Sequence, residues 1–209
     1  MSNPIYDAAL EYVDEGISVI PMKGKIPQVN MSLYRDKLPT LEELTKWFDV
    51  ENPPNIGVLN GSSRLWSVEC NSTVANNWFK KLIPEPLEKV AVFRTLCGLI
   101  YLFKLPEDIE RVRSRVVVVH TAQNKITKER MAFCVEICGN GTITCLPPSV
   151  SLPSRTIYYW INRPPFKELA VVSPRIILDR IGPKNAPIQA NLEPTPQPGP
   201  QPGQAKEEN

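Results

Sequence analysis

The chain has 209 residues, 42% of them hydrophobic and 22% charged, and carries a formal net charge of +2. This suits one globular domain plus an appendage. It excludes attraction to nucleic acid by overall charge, so any such contact must rest on local patches. No apolar run approaches the roughly 18 residues of a membrane span, and the N-terminus lacks a signal-peptide pattern, so the expected location is cytoplasmic, with no membrane contact. Five cysteines (Cys70, Cys97, Cys134, Cys138, Cys145) without a CxxC pair argue against a disulfide framework. Cys134 and Cys138 would share a strand face with Glu136, which suggests a metal, but free cysteines more often read as small buried side chains.

In chain order, Ser2-Asn3-Pro4 predicts a helix start, followed by an apolar stripe of Ile5, Ala8, Ala9, Tyr12 and Val13 and a stop at Gly16. Ile17 to Pro21 predicts a short buried strand. Lys23-Gly24-Lys25 is either a solvated turn or a phosphate contact. Thr40 and Glu43 have the spacing of a capping box for a second helix carrying Leu41, Leu44, Trp47 and Phe48. Pro53-Pro54 delivers the chain into a strand over Asn55 to Leu59.

Leu65 to Asn71 reads as a second strand, whose period of two puts Glu69 and Asn71 on one face and Cys70 on the other. Paired oxygen ligands at a strand end form half of a metal site if a third comes from elsewhere; here the second is an amide. Ser72 or Thr73 caps a third helix through Trp78, Phe79 and Leu82, closed by Pro84. Two strands follow between Val90 and Leu105 around Cys97-Gly98, and a brief helix begins at Pro106-Glu107-Asp108.

Val116 to His120 and Met131 to Cys138 predict a hairpin with Arg111, Arg113, Arg115, Lys125, Lys128 and Arg130 near its two ends, a solvated rim or a phosphate surface. His120, the only histidine, reads as structural on its valine-rich strand. Thr142 to Leu146 is a strand ended by Pro147-Pro148-Ser149. Ile157 to Ile161 is an aromatic strand suited to core packing or base stacking. Ser173-Pro174 opens a last helix over Ile176, Ile177, Leu178 and Ile181, ended by Gly182. From 183 to 209, prolines spaced by Gln and Gly predict a disordered, partly polyproline tail. The expected division is thus a folded domain over 1–182 and a tail over 183–209.

The order of these short words is more specific than any one of them: Gly24-Lys25-Ile26-Pro27, then Asn55-Ile56-Gly57-Val58 with Gly61 leading into Glu69-Cys70-Asn71, then Thr95-Leu96-Cys97-Gly98 before a strand ending in Phe103, and Val135-Glu136-Ile137 running on to Pro147-Pro148-Ser149. Over about residues 5 to 162 the succession resembles the bifunctional primase–polymerase domain of the archaeo-eukaryotic primase superfamily. The resemblance implies an α+β fold: a compact two-lobed domain with a mainly antiparallel sheet related to the RNA-recognition fold. It also implies an acid-x-acid pair and a third acid holding divalent metals for nucleotidyl transfer, and a histidine binding the incoming triphosphate.

Carried over residue by residue, the acid pair falls on Glu69 and Asn71, the third acid on Glu136 and the histidine on Ile100. Lys25, Thr95 and Gly98 are the nucleotide-binding candidates. Glu69 with Glu136 would hold at most one Mg2+ or Mn2+, weakly, and no cofactor is required. Each lost group would remove on the order of 2–4 kcal/mol of transition-state stabilisation, slowing chemistry by several powers of ten.

The expected function is therefore a non-catalytic primase-like protein in DNA replication. It is similar in character to PriX, the accessory subunit of crenarchaeal primases. It would bind nucleotide, single-stranded DNA or an RNA–DNA hybrid, or dock on the catalytic and large primase subunits. Two alternatives stay open: an active minimal primase–polymerase using Glu69 and Glu136, and a structural α/β adaptor.

Overall fold

The computed structural model describes residues 3–83, 86–151 and 154–181. Helix α1 (Pro4–Asp14) starts where Asn3 turns its Oδ1 onto the Ile5 and Tyr6 N–H groups. The other end of that amide donates to Phe48 O at 2.7 Å, at the end of α2 (Leu41–Phe48). Thr40 and Glu43 close the capping box of α2, and Ser72 caps α3 (Thr73–Lys80). Helix α3 ends at Lys80, short of Leu82, and Pro84 lies outside the described residues. Helix α4 spans Arg175–Ile181; Gly182 and the proline-rich tail lie outside the described residues.

Among the described residues there are twelve strands, besides four short 3-10 turns: β1 (Val19–Lys23), β2 (Ile26–Pro27), β3 (Asn55–Leu59), β4 (Leu65–Cys70), β5 (Ala91–Arg94), β6 (Leu99–Lys104), β7 (Arg115–Gln123), β8 (Arg130–Cys138), β9 (Ile143–Leu146), β10 (Val150–Ser151), β11 (Thr156–Ile157) and β12 (Tyr159–Asn162). They build a four-stranded sheet, β2-β1-β3-β9, a six-stranded sheet, β12-β5-β6-β4-β8-β7, and the small pair β10-β11. Every strand pairing in these sheets is antiparallel.

Strand alternation divides the core. One face of the six-stranded sheet sends Trp66, Val68, Tyr101, Phe103, Val135 and Ile137 toward α3 and α4. The other sends Leu65, Phe93, Ile100 and Leu102 toward α1, α2 and the four-stranded sheet. Burying each of these large side chains contributes about 1.5–3 kcal/mol.

Three local expectations are corrected. Pro106-Glu107-Asp108 forms no helix: Ile109 N–H closes one turn onto Pro106 O, and three residues on, the Asn140 side chain accepts Val112 N–H. The first strand begins at Val19, because Ile17 N–H is still bonded to Tyr12 O in the helix exit. The aromatic run breaks at Tyr158, whose N–H bonds to Ser149 O, so Thr156–Ile157 pairs with β10 and Tyr159–Asn162 with β5.

Gly98 sits where β6 begins, hard against the end of β4. A Cβ there would lie 1.8 Å from Cys70 O, too close for any rearrangement short of moving backbone. Gly98→Ala should therefore cost on the order of 3 kcal/mol, read as a lower urea midpoint at unchanged slope.

An acidic cavity between the two sheets

Register assembles the site. Across the six-stranded sheet, Trp160, Phe93, Ile100, Glu69, Glu136 and Val116 are successive cross-strand partners on β12, β5, β6, β4, β8 and β7. Directly opposed residues share a face, so Ile100, Glu69 and Glu136 stand side by side, looking toward the four-stranded sheet. Between the sheets lies a cavity of about 400 Å³ lined by Lys25, Glu69, Thr95, Ile100 and Glu136, together with Cys138, Thr144, Cys145 and Tyr158.

Each lining group is held by its element. Gly24, at φ 61°, turns the β1–β2 hairpin and brings Lys25 to its tip. Asn55 clamps the start of β3 to Val150, its Nδ2 donating to Val150 O and its Oδ1 accepting Val150 N–H, both at 2.8 Å. Ser149 caps the same join, accepting from Ile56 N–H at 3.0 Å. A buried polar ladder crosses from sheet to sheet: the Ser67 and Thr144 hydroxyls meet at 2.7 Å, and Asn60 Nδ2 donates to Thr144 and Thr142.

Thr95 is buried, and its hydroxyl closes the β5–β6 turn by accepting Gly98 N–H at 3.2 Å. Thr95 and Gly98, expected at the nucleotide, thus serve the turn that seats β6 on β4. Ile100 is 7% exposed and packs in the core with Leu102 and Phe93.

Asn71 departs from the expected shared face with Glu69. Strand β4 ends at Cys70, and the Asn71 amide lies along β8: its Oδ1 accepts Cys134 N–H at 2.8 Å and its Nδ2 donates to Ala132 O at 3.3 Å. Asn71 N–H itself donates to Cys134 O. The side chain acts as one more peptide group, lengthening the β4–β8 ladder, and Asn71 does not line the cavity.

Burial raises the Glu69 pKa above the usual carboxylate range; Lys25 opposes the shift and Glu136 adds to it. Burial likewise pushes the Cys138 thiol up to about 12 and Cys145 up to about 11. Among the described residues, no group of three or more His, Cys, Asp or Glu side chains is placed to hold one metal ion. Two carboxylates suit a single Mg2+ that completes its shell with water and substrate phosphates. Among the described residues lining the cavity, Glu69 and Glu136 are the only acids.

The family described as bifunctional DNA primase/polymerase, N-terminal, matches residues 9–175, most of the chain. The chain belongs to this Prim-Pol family. No curated protein matches it. Membership gives the Prim-Pol domain a primase- or polymerase-related role in DNA replication or repair. Among the described residues, no helix is long and apolar enough to cross a membrane.

The sequence did not single out Ser67, Thr144 or Tyr158 for this cavity. The alternation of Leu65-Trp66-Ser67-Val68-Glu69 was a usable signal for Ser67, since it puts the serine on the face of Glu69. His120 is exposed and stacks on Phe133, ring centroids 5.6 Å apart, away from the acids.

Because the folded state holds the Glu69 proton more tightly than the unfolded chain, this group's stabilising contribution is complete below the ordinary value of 4.5 and is lost as pH rises through the raised folded value. Glu69→Gln cannot lose it. The melting-temperature difference, variant minus parent, should therefore grow in the variant's favour across that window and level off above it. A flat difference would mean that Glu69 titrates normally.

Proposed function

We propose that this Prim-Pol protein is an accessory of DNA priming that binds a nucleotide or template phosphates in the cavity between its sheets and does not itself transfer nucleotides. The observation that carries this reading is the Asn71 amide, spent on Cys134 N–H and Ala132 O. An aspartate there would accept from Cys134 but set an anionic oxygen against the Ala132 carbonyl. Ile100, in the place of a triphosphate-binding histidine, can neither donate a hydrogen bond nor carry charge.

What supports binding is the polarity that remains. Lys25 brings an ammonium to a cavity with two carboxylates, and Tyr158 adds a hydroxyl. Glu69 and Glu136 are the residues that would hold one divalent ion, which would supply charge neutralisation for a bound phosphate. Lys25 attracts the phosphate oxygens, and the Ser67–Thr144 ladder keeps the wall rigid. In this reading the six-stranded sheet is the RNA-recognition-related lobe, the four-stranded sheet is its companion lobe, and the partners are the primase catalytic and large subunits.

A second reading, an active minimal primase–polymerase, is favoured by one observation, the direct opposition of Glu69 and Glu136 on neighbouring strands. Primer extension separates the two. The chain alone should extend no primer with Mg2+ or Mn2+, should bind labelled nucleotide about tenfold more weakly as Lys25→Ala, and should stimulate priming when catalytic and large subunits are added. Extension by the chain alone that Glu136→Ala abolishes establishes the second reading. Absence of both nucleotide binding and stimulation leaves a structural adaptor.

Asn71→Asp tests the carrying observation on its own. It should lower stability by about 1–2 kcal/mol through the lost donor to Ala132, measured by urea unfolding, and should produce no extension. A variant of parental stability that extends primers would show that the amide was not committed to β8.

A further inference from the structure

We infer that a second, phosphate-binding site lies on the opposite face of the six-stranded sheet from the acidic cavity. A cavity of about 430 Å³ there is lined by Arg111, Arg113, Arg115 and Arg175, with Asp108 and Glu110 at the same wall and Ile137 and Leu178 at its apolar side. Ile137 alternates with Glu136 along β8 and belongs to the α3–α4 core, which fixes the side of the sheet.

The arginines are presented by a built segment. In 111–114 the even positions make the attachments, and Arg115 begins β7 opposite Ile137. Val112 is buried, its N–H bonded to Asn140 Oδ1 at 2.7 Å and its carbonyl accepting Asn140 N–H. Ser114 Oγ accepts Gly139 N–H at 2.9 Å. The odd positions carry the guanidiniums. Gly139 permits the seating, because a Cβ there would stand 2.1 Å from Val112 O. Arg175, at the start of α4, comes from a separate part of the chain to the same cavity.

Among the described residues the only ion pairs join Arg163 to Glu11 and Glu15. None of the four arginines is paired with Asp108 or Glu110, which leaves an excess of two positive charges among the residues lining one concavity. Arg111, Arg113 and Arg115 stand at alternate positions of one segment, so their charges are spread along it rather than gathered on one residue. Guanidinium forks match phosphate oxygens two at a time. The ligand class is a run of phosphates: the backbone of a single strand, or a free polyphosphate.

Lys125, Lys128 and Arg130 are a different group. They sit at the far tip of the β7–β8 hairpin, beyond this cavity. This site does not depend on the reading given to Glu69 and Glu136.

The test is fluorescence anisotropy of a labelled oligothymidylate at two salt concentrations, with inorganic tripolyphosphate as competitor. Parent protein, the double variant Arg113→Ser with Arg175→Ser, and the tip variant Lys125→Ser with Lys128→Ser are compared after thermal melts show them folded. Parent should bind with a salt slope of about 0.7 per phosphate engaged. The arginine variant should bind at least tenfold more weakly with a shallower slope, and the tip variant should match parent. Displacement by tripolyphosphate at concentrations comparable to the oligonucleotide phosphates assigns a free polyphosphate; its failure to compete assigns the strand backbone. If parent binds neither probe, or the arginine variant binds as parent does, the inference is wrong. If the tip variant alone loses binding, the phosphate surface is the hairpin tip instead.

Discussion

Glu69 and Glu136 oppose each other only because β4 lies in one register between β6 and β8. Strand side chains repeat every two residues, so a slip by one would turn the carboxylates into the α3–α4 core and expose Val68 and Ile137 to the cavity. Val68 and Ile137 are essentially inaccessible to solvent, and an unpaired buried carboxylate is far costlier than the apolar contact it would replace. The hydrophobic pattern alone thus forbids the slip. Two contacts at the end of β4 reinforce it: Gly98 packed on the Cys70 carbonyl, and the Asn71 amide extending the ladder onto β8.

That register places like charges directly across a ladder, an arrangement that is destabilising by itself. Two features relieve it. Lys25, carried in from the four-stranded sheet, favours the ionised form of Glu69, while burial and Glu136 favour its proton. The balance leaves Glu69 easier to protonate than an ordinary glutamate. The two sheets are consequently coupled through charge as well as through the Ser67–Thr144 hydroxyl contact. The same sheet separates acid from base: Glu69 and Glu136 face one cavity, and the arginines of 111–115 with Arg175 face another on the reverse side.

Much of this was legible in the sequence where signals are local. Asn3, Thr40 with Glu43, and Ser72 cap the helices that their chemistry announces, because a cap needs only a side-chain oxygen three residues from its donor. Strand words also read correctly, as with Asn55 to Leu59 and the β7–β8 hairpin. What the sequence hid was set by partners distant in the chain. Glu69 and Asn71 look equivalent at i and i+2, yet the strand stops at Cys70 and the neighbouring β8 backbone captures Asn71. The basic residues lie at the two ends of the hairpin, as expected, but the cavity that, of these, only Arg111, Arg113 and Arg115 line was not visible in the sequence. Arg175 joins these three across more than fifty residues of chain. Pro106-Glu107-Asp108 carries helix-start chemistry that a single turn uses up, since Asn140 has already claimed Val112.

The position of Asn71 shows folding and chemistry competing for one side chain. An amide and a carboxylate have the same shape, but only the amide can donate and accept at once. Donating and accepting together is what lets Asn71 continue a strand ladder past the last residue of β4. A carboxylate would leave the Ala132 carbonyl facing negative charge at a half-open strand end, where the ladder has least to spare. Once the amide is spent in this way, the anionic charge left at the site is that of Glu69 and Glu136, and Lys25 already offsets part of it. In the function proposed above, recognition would rest on Lys25, Glu69 and Glu136, none of whose side chains is drawn into the β4–β8 ladder as that of Asn71 is.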